Sequence, residues 1–314
     1  MTRLTARKGY NPSFSWTFLY PKYWAIWLGV FGLIILGFIP FKLRDKLAMF
    51  IGKIAYKKAS KQAHKAEVNL RYCFPQWTEA QREAVIKEMF IRIAQTMLAI
   101  GELAVRSPKY LQSRIEITGL EHLQAVTSQG KNAILLVPHT WSIDASGAIL
   151  TTMGMPMTSM YNPHRNPLVD WLWNLVRERF GGKLHARQNG IKPFLNDVKQ
   201  GKLGYFLPDE DFGEKASVYV DFFATEKATL PGLTKMAKLT NAGIVPLFPI
   251  YDPQKGVYHL EILPAMTFSG EPEQAAREMN KVIEYFVTKN PEQYVWILKL
   301  LKTRRNGEDI YTPY

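Results

Sequence analysis

The stretch ILLVPHTWSID, residues 134–144, decides how this chain is read. Four apolar residues in a row, Ile134 to Val137, fit a strand buried on both faces of a parallel sheet, where polar alternation is absent. Pro138 stops the run, His139 follows at once, and a helical pattern opens near Asp144. His139 therefore stands just past the C-terminal end of a strand, with Asp144 five positions on, so both side chains can converge in one loop. Ligands of open α/β sheets bind at that edge.

Outward from this stretch the pattern repeats. Short runs rich in branched residues fall at 114–118, 158–161, 204–207, 244–250 and 258–263, with helical patterns near 167–180, 229–241 and 272–289 and a longer helical region over 78–105. Strands alternating with helices predict an α/β fold, a largely parallel sheet flanked by helices. No repeat, low-complexity tract or linker interrupts it, so residues 67–314 read as one catalytic domain.

The N-terminal part, residues 1–41, is different. From Tyr23 to Phe41 the run YWAIWLGVFGLIILGFIPF carries no charge. As one helix it would rise about 28 Å, enough for a bilayer's hydrocarbon core, which predicts an N-terminal transmembrane helix over 23–41. No small-x-small cleavage site follows, so a retained anchor is expected rather than a signal peptide. Over 42–66, Lys and Arg dominate while Leu43, Leu47, Phe50, Ile51 and Ile54 recur at helical spacing. That pattern predicts a basic amphipathic helix lying on a membrane of anionic lipids. The charge flanking the span favours a cytoplasmic catalytic domain.

The formal charge of +13 points to an anionic partner. An uncharged span of this length favours membrane and phosphorylated substrate over nucleic acid. The single cysteine, Cys73, excludes an internal disulfide and any multi-cysteine metal site. No G-x-S-x-G elbow, P-loop, G-x-G-x-x-G or H-E-x-x-H is present. Of six histidines, only His139 has an acid five residues on. A carboxylate on one ring nitrogen fixes the tautomer while the other takes a proton, which makes a general base for a hydroxyl. No acyl-enzyme, metal or cofactor is expected.

Several blocks in order then resemble one family. They are NLRYCFPQW (69–77), VPHTWSID (137–144), FGGKLHARQNGIKPF (180–194), YFLPDEDFG (205–213), VDFFATEKATLPG (220–232) and VPLFPIYD (245–252). The chain resembles the late (secondary) acyltransferases of lipid A biosynthesis, relatives of the glycerolipid acyltransferases that share a His-x4-acid motif. Its end, PEQYVWILKLLKTRRNGE (291–308), is most like the myristoyltransferase branch.

The resemblance implies transfer of a lauroyl- or myristoyl-class chain from acyl carrier protein to a 3-hydroxyacyl hydroxyl of a Kdo2-lipid A precursor. The place it implies is the bacterial inner membrane, single-pass, with catalysis on the cytoplasmic side. Carried over, His139 is the base and Asp144 its orienting partner. The alternative is a lysophospholipid or glycerol-3-phosphate acyltransferase, against which PDEDFG stands where F-P-E-G-T-R is usual.

Other residues have two readings each. Arg187 binds a substrate phosphate or pairs with an internal acid. Arg165 is a second phosphate candidate. Asp209 and Asp211, past a strand at the same sheet edge, order the site or hold Arg187. Lys302 and Arg304, in a basic cluster with Lys299 and Arg305, suit substrate phosphates or the acidic carrier protein. Trp171, Trp173, Phe180 and the FFATEKATLPG segment line an acyl tunnel or fill the core.

Overall fold

The computed structural model describes residues 10–268 and 270–312. The first nine residues, with the Arg3, Arg7 and Lys8 that flank the apolar run, lie outside them.

Seven strands form the main sheet: β1 (Ile115–Thr118), β2 (Asn132–Leu136), β3 (Met157–Tyr161), β4 (Lys183–Ala186), β5 (Leu203–Phe206), β8 (Ala242–Asp252) and β9 (Val257–Ile262). A separate antiparallel hairpin joins β6 (Val218–Phe222) to β7 (Thr225–Thr229). The sheet order is β1-β9-β8-β2-β5-β3-β4, with every neighbouring pair parallel except β8 and β9. The largely parallel sheet predicted from sequence is thus present. Sequence reading missed β4 and the β6–β7 hairpin, whose turn passes through Phe223 at φ 52° rather than through a glycine.

β2 lies at the centre and is covered on both faces, as its unbroken apolar run requires. Ile134 and Leu136 join the core formed with α3 (Ser60–Cys73), α9 (Lys192–Lys199), α10 (Leu233–Thr240) and α11 (Pro272–Lys289). Leu135 and Val137 point the other way, into the core formed with α6 (Leu120–Thr127) and α7 (Ile143–Thr152). β2 and β5 are neighbours, but the chain leaves β2 toward α7 on one face and leaves β5 toward the hairpin and α10 on the other. A crevice opens where connections part in this way.

The N-terminal expectation needs correction. The apolar run does not form one spanning helix: α1 covers only Trp24–Leu36, about 20 Å of rise, and α2 (Phe41–Lys58) departs after a break at Gly37–Pro40. Among the described residues, no helix is long and apolar enough to cross a membrane. Pro40 bars continuation of the helix through Ile39. α1 also packs on α4 (Glu79–Val105) at backbone distance: a Cβ on Gly101 would lie 1.8 Å from the Leu33 carbonyl oxygen. Arg106 then donates to the Gly37 carbonyl (2.8 Å), placing a cation where the helix leaves carbonyls unpaired.

Residues 42–66 likewise form two helices, α2 and the start of α3. Arg44 and Asp45 of α2 are buried: Arg44 Nη1 reaches Glu102 (2.7 Å) and Asp45 accepts from the Tyr251 hydroxyl (2.8 Å). The outward faces stay apolar, with Leu28 72% and Phe50 64% exposed.

Candidate active site

His139 stands where sequence placed it, between β2 and α7. The backbone around it is held by three bonds. The amide donates to Asp209 Oδ2 (2.8 Å), the carbonyl accepts from Val295 N–H (3.0 Å), and the Thr140 hydroxyl donates to the Pro249 carbonyl (2.7 Å). Trp141 N–H adds a bond to the Gln293 carbonyl at 3.2 Å. The C-terminal PEQYVW segment therefore clamps the loop that carries the ring.

The orienting acid is not the one expected. His139 Nδ1 lies 2.5 Å from Asp209 Oδ1, whereas Asp144 is taken by Arg177 of α8 (Pro167–Glu178), Oδ1 to Nε 2.6 Å. Sequence proximity misleads here because Asp144 sits in the first turn of α7, while β5, next to β2 in the sheet, delivers Asp209 directly behind the ring. One buried carboxylate thus grips both the amide and Nδ1 of the same histidine. That fixes the ring and leaves Nε2 facing the crevice. The Tyr294 hydroxyl lies against the same carboxylate without an aligned hydrogen bond.

Nε2 faces Glu210 Oε1 at 3.4 Å, and the other oxygen of Glu210 holds Arg187 Nη1 at 2.5 Å. Burial lowers the affinity of the ring for a proton, but Asp209 and Glu210 outweigh it and raise the His139 pKa to about 9. Burial pushes the Glu210 carboxyl up, yet His139 and Arg187 bring it down to about 2. For Asp209, burial opposes and His139 favours ionisation, with a net downward shift. Sequence reading singled out Asp209 and Arg187 but missed Glu210, although it lies inside the same PDED run. Arg187 does pair with an internal acid, and that acid is Glu210.

Two cavities meet at the ring. One, of about 270 Å³, runs between α7, β3 and β4 and is lined by His139, Asp144, Gly147, Thr151, Met157 and Glu210 among others. The second, of about 430 Å³, lies toward α9 and α10, with Leu195, Phe206, Leu230, Met236 and Leu239 in its wall. His139, Arg187, Ser159, Met160, Tyr205 and Leu207 belong to both. An imidazole at the junction of a chamber walled in part by charged side chains and a second, mostly apolar one can deprotonate a hydroxyl presented from one against a carbonyl presented from the other.

The remaining candidates fall elsewhere. Asp211 pins the C-terminal segment, accepting from Thr303 N–H (2.6 Å), the Thr303 hydroxyl (2.7 Å) and Gly213 N–H (2.9 Å). Lys302 donates to the Asp211 carbonyl, and Arg304 donates to the Glu226 carbonyl at 2.7 Å, so neither lines a cavity that reaches His139. Arg165 is exposed beside His164, off the wall. Of the aromatic stripe, Trp171 packs on Phe14 and Phe18, and neither Trp173 nor Phe180 lines either cavity; Leu230 and Gly232 of the FFATEKATLPG segment do. Among the described residues, no group of three or more His, Cys, Asp or Glu side chains is placed to hold a metal ion.

Comparison with known proteins identifies the family. The family model described as bacterial lipid A biosynthesis acyltransferase matches residues 11–303. A lipid A biosynthesis acyltransferase of Haemophilus influenzae is 63% identical over 309 residues, covering 98% of this chain and 97% of that protein. The lipid A biosynthesis myristoyltransferase of Escherichia coli K12 is 43% identical over 95% of this chain and 93% of its own length. The lauroyltransferase of the same organism is 30% identical over 94% and 97%. The chain belongs to the bacterial lipid A biosynthesis acyltransferase family, on the side of the myristoyltransferase branch.

Proposed function

We propose that this enzyme moves a lauroyl- or myristoyl-class chain from acyl carrier protein to a 3-hydroxyacyl hydroxyl of a Kdo2-lipid A precursor, with His139 as general base. The observation that carries the reading is Nε2 of a doubly held histidine at the meeting point of two cavities, the larger of them mostly apolar and the smaller lined by both apolar and charged side chains. A reaction that joins two fatty chains needs two such seats. Nε2 takes the hydroxyl proton as the oxygen attacks the thioester carbonyl, the C–O bond forms, the C–S bond breaks, and the imidazolium returns the proton to the leaving thiolate. Asp209 supports the imidazolium through Nδ1. Asp144 and Arg177 form a polar wall of the smaller cavity rather than a dyad with His139.

The chain reaches the membrane by lying in the interface. Trp16, Trp24, Leu28, Phe31, Phe38, Leu43, Leu47 and Phe50 are exposed together on the N-terminal segment, α1 and α2, beside Lys22, Lys42, Lys46 and Lys53. Amphipathic elements with this composition bury their apolar side at the headgroup boundary of anionic bilayers. That location keeps the catalytic face on the leaflet holding the lipid acceptor, taken here as the cytoplasmic one.

The test is mass spectrometry of lipid A after incubating detergent-solubilised protein with acyl carrier protein thioesters and a tetra- or penta-acylated precursor. Wild type should add one acyl mass, and His139→Ala should lose transfer by about 10²- to 10⁴-fold while remaining folded. Addition only to a lysophospholipid or glycerol phosphate offered in competition would overturn the acceptor assignment.

A further inference from the structure

Nε2 of His139 has a carboxylate in front of it. The Glu210 carboxylate stands 3.4 Å from it, in the wall of the smaller cavity, and is tethered from behind by Arg187 at 2.5 Å. An acceptor hydroxyl close enough to lose its proton to Nε2 must approach within about 3 Å, the place one Glu210 oxygen now occupies. The two cannot be there together.

We propose that Glu210 is a removable cap on the base: it closes Nε2 while the site is empty, and the acceptor hydroxyl takes its place, with the displaced carboxylate retained by Arg187. This rests on His139 being the base. Glu210 acts through the histidine and is a positioning residue, since it neither gives nor takes a proton in the transfer.

The surroundings fit a cap rather than a fixed ion pair. Asp209 is 1% exposed and bound by two donors of His139, so it has no alternative place. The Glu210 side chain is 26% exposed, its contact with the ring is long, and Arg187, 23% exposed and stacked 5.0 Å from the Phe212 ring, offers it a second anchor. The other charged groups near the ring are already committed or set back. Asp144 is held by Arg177, and Tyr294 faces Asp209. Lys227 is buried behind Asp209 and Asp211, while His164 and Lys183 stand on the far cavity wall. With both carboxylates in place the ring holds its proton, its pKa raised to about 9 by Asp209 and Glu210 against the effect of burial. Loss of one anionic neighbour should lower it by about 1–2 pH units.

The discriminating measurement is the pH dependence of kcat and of kcat/KM for the acceptor, on the full-length enzyme in detergent with saturating acyl carrier protein thioester. The second reports the free site and the first the occupied one. A displaced cap predicts that the wild-type midpoint for kcat lies below that for kcat/KM by about 1–2 pH units. In Glu210→Gln the kcat/KM midpoint should fall by the same amount and the gap should close. Arg187→Met, which strips the tether and a positive charge from the cap, should move the kcat/KM midpoint upward. Both should melt close to wild type. Coincident kcat and kcat/KM midpoints in the wild type, or a gap unchanged in Glu210→Gln, would overturn the cap. His139→Ala run alongside separates the cases: turnover retained by that variant defeats the general-base reading itself, whereas an inactive His139→Ala with no gap in the wild type defeats the cap alone.

Discussion

Two clusters of buried charge can be told apart in this molecule. Behind α2, Arg44 and Arg114 converge on Glu102, at 2.7 and 3.2 Å, with the Tyr110 hydroxyl at 2.9 Å and Asp45 bound to Tyr251. At the crevice, Asp209, His139, Glu210 and Arg187 form a chain of alternating sign. The first cluster is enclosed: Arg44 is fully buried and Glu102 is 1% exposed. The second opens into two cavities. What separates a fastening from a reactive centre is therefore the presence of a place for something else to go, since both contain strongly coupled charges. The enclosed cluster is also less well satisfied, with Arg44 Nε and Nη2 and Arg114 Nε and Nη2 lacking hydrogen-bond partners, so Glu102, the acid that both guanidinium groups reach, carries much of the compensation.

That contrast predicts where each mutation registers. Removing the shared acid by Glu102→Ala strands two buried guanidinium groups and should cost about 3–5 kcal/mol of unfolding free energy, read by urea or thermal denaturation. Transfer per folded molecule should stay near wild type; a large fall at full folding would break the distinction. Asp209→Asn should do the reverse. The melting point should change little by comparison, while kcat falls about 10²- to 10³-fold because the amide no longer enforces the ring's tautomer or supports its charge. Smallest of all, Lys302→Ala removes one exposed donor to the Asp211 carbonyl, and both stability and KM for the acceptor should move by less than about 0.5 kcal/mol. A large KM effect there would extend the substrate site to the C-terminal basic cluster.

The parts of this architecture legible in sequence were those set by local pattern. The buried run Ile134–Val137 announced a central strand, and its position ahead of His139 located the crevice. The helix over 79–105 begins at Thr78 with a capping box to Gln81, close to where the sequence starts it. Neighbours across the sheet were less legible. His139 and Asp209 are 70 residues apart in the chain, and only the β2–β5 pairing makes them adjacent. Asp144 has the family's spacing, yet spacing in the chain carries no information about which acid the ring turns toward. The 19-residue apolar run misled for a related reason. Its length suits a span, but the local break at Pro40 and the tertiary approach of Gly101 to Leu33 and Gly37 are features that hydropathy averages away.

The clamp that PEQYVW places on the histidine loop also sets a schedule. Gln293, Tyr294 and Val295 arrive 154 to 156 positions after His139 in a 314-residue chain. At ribosomal rates of about 5–20 residues per second, the loop waits roughly 8–30 s for the segment that fixes it. A product truncated before Gln293 therefore lacks the segment that fixes the histidine loop, and on the proposed function it should bind no less lipid than the whole chain yet transfer no acyl group.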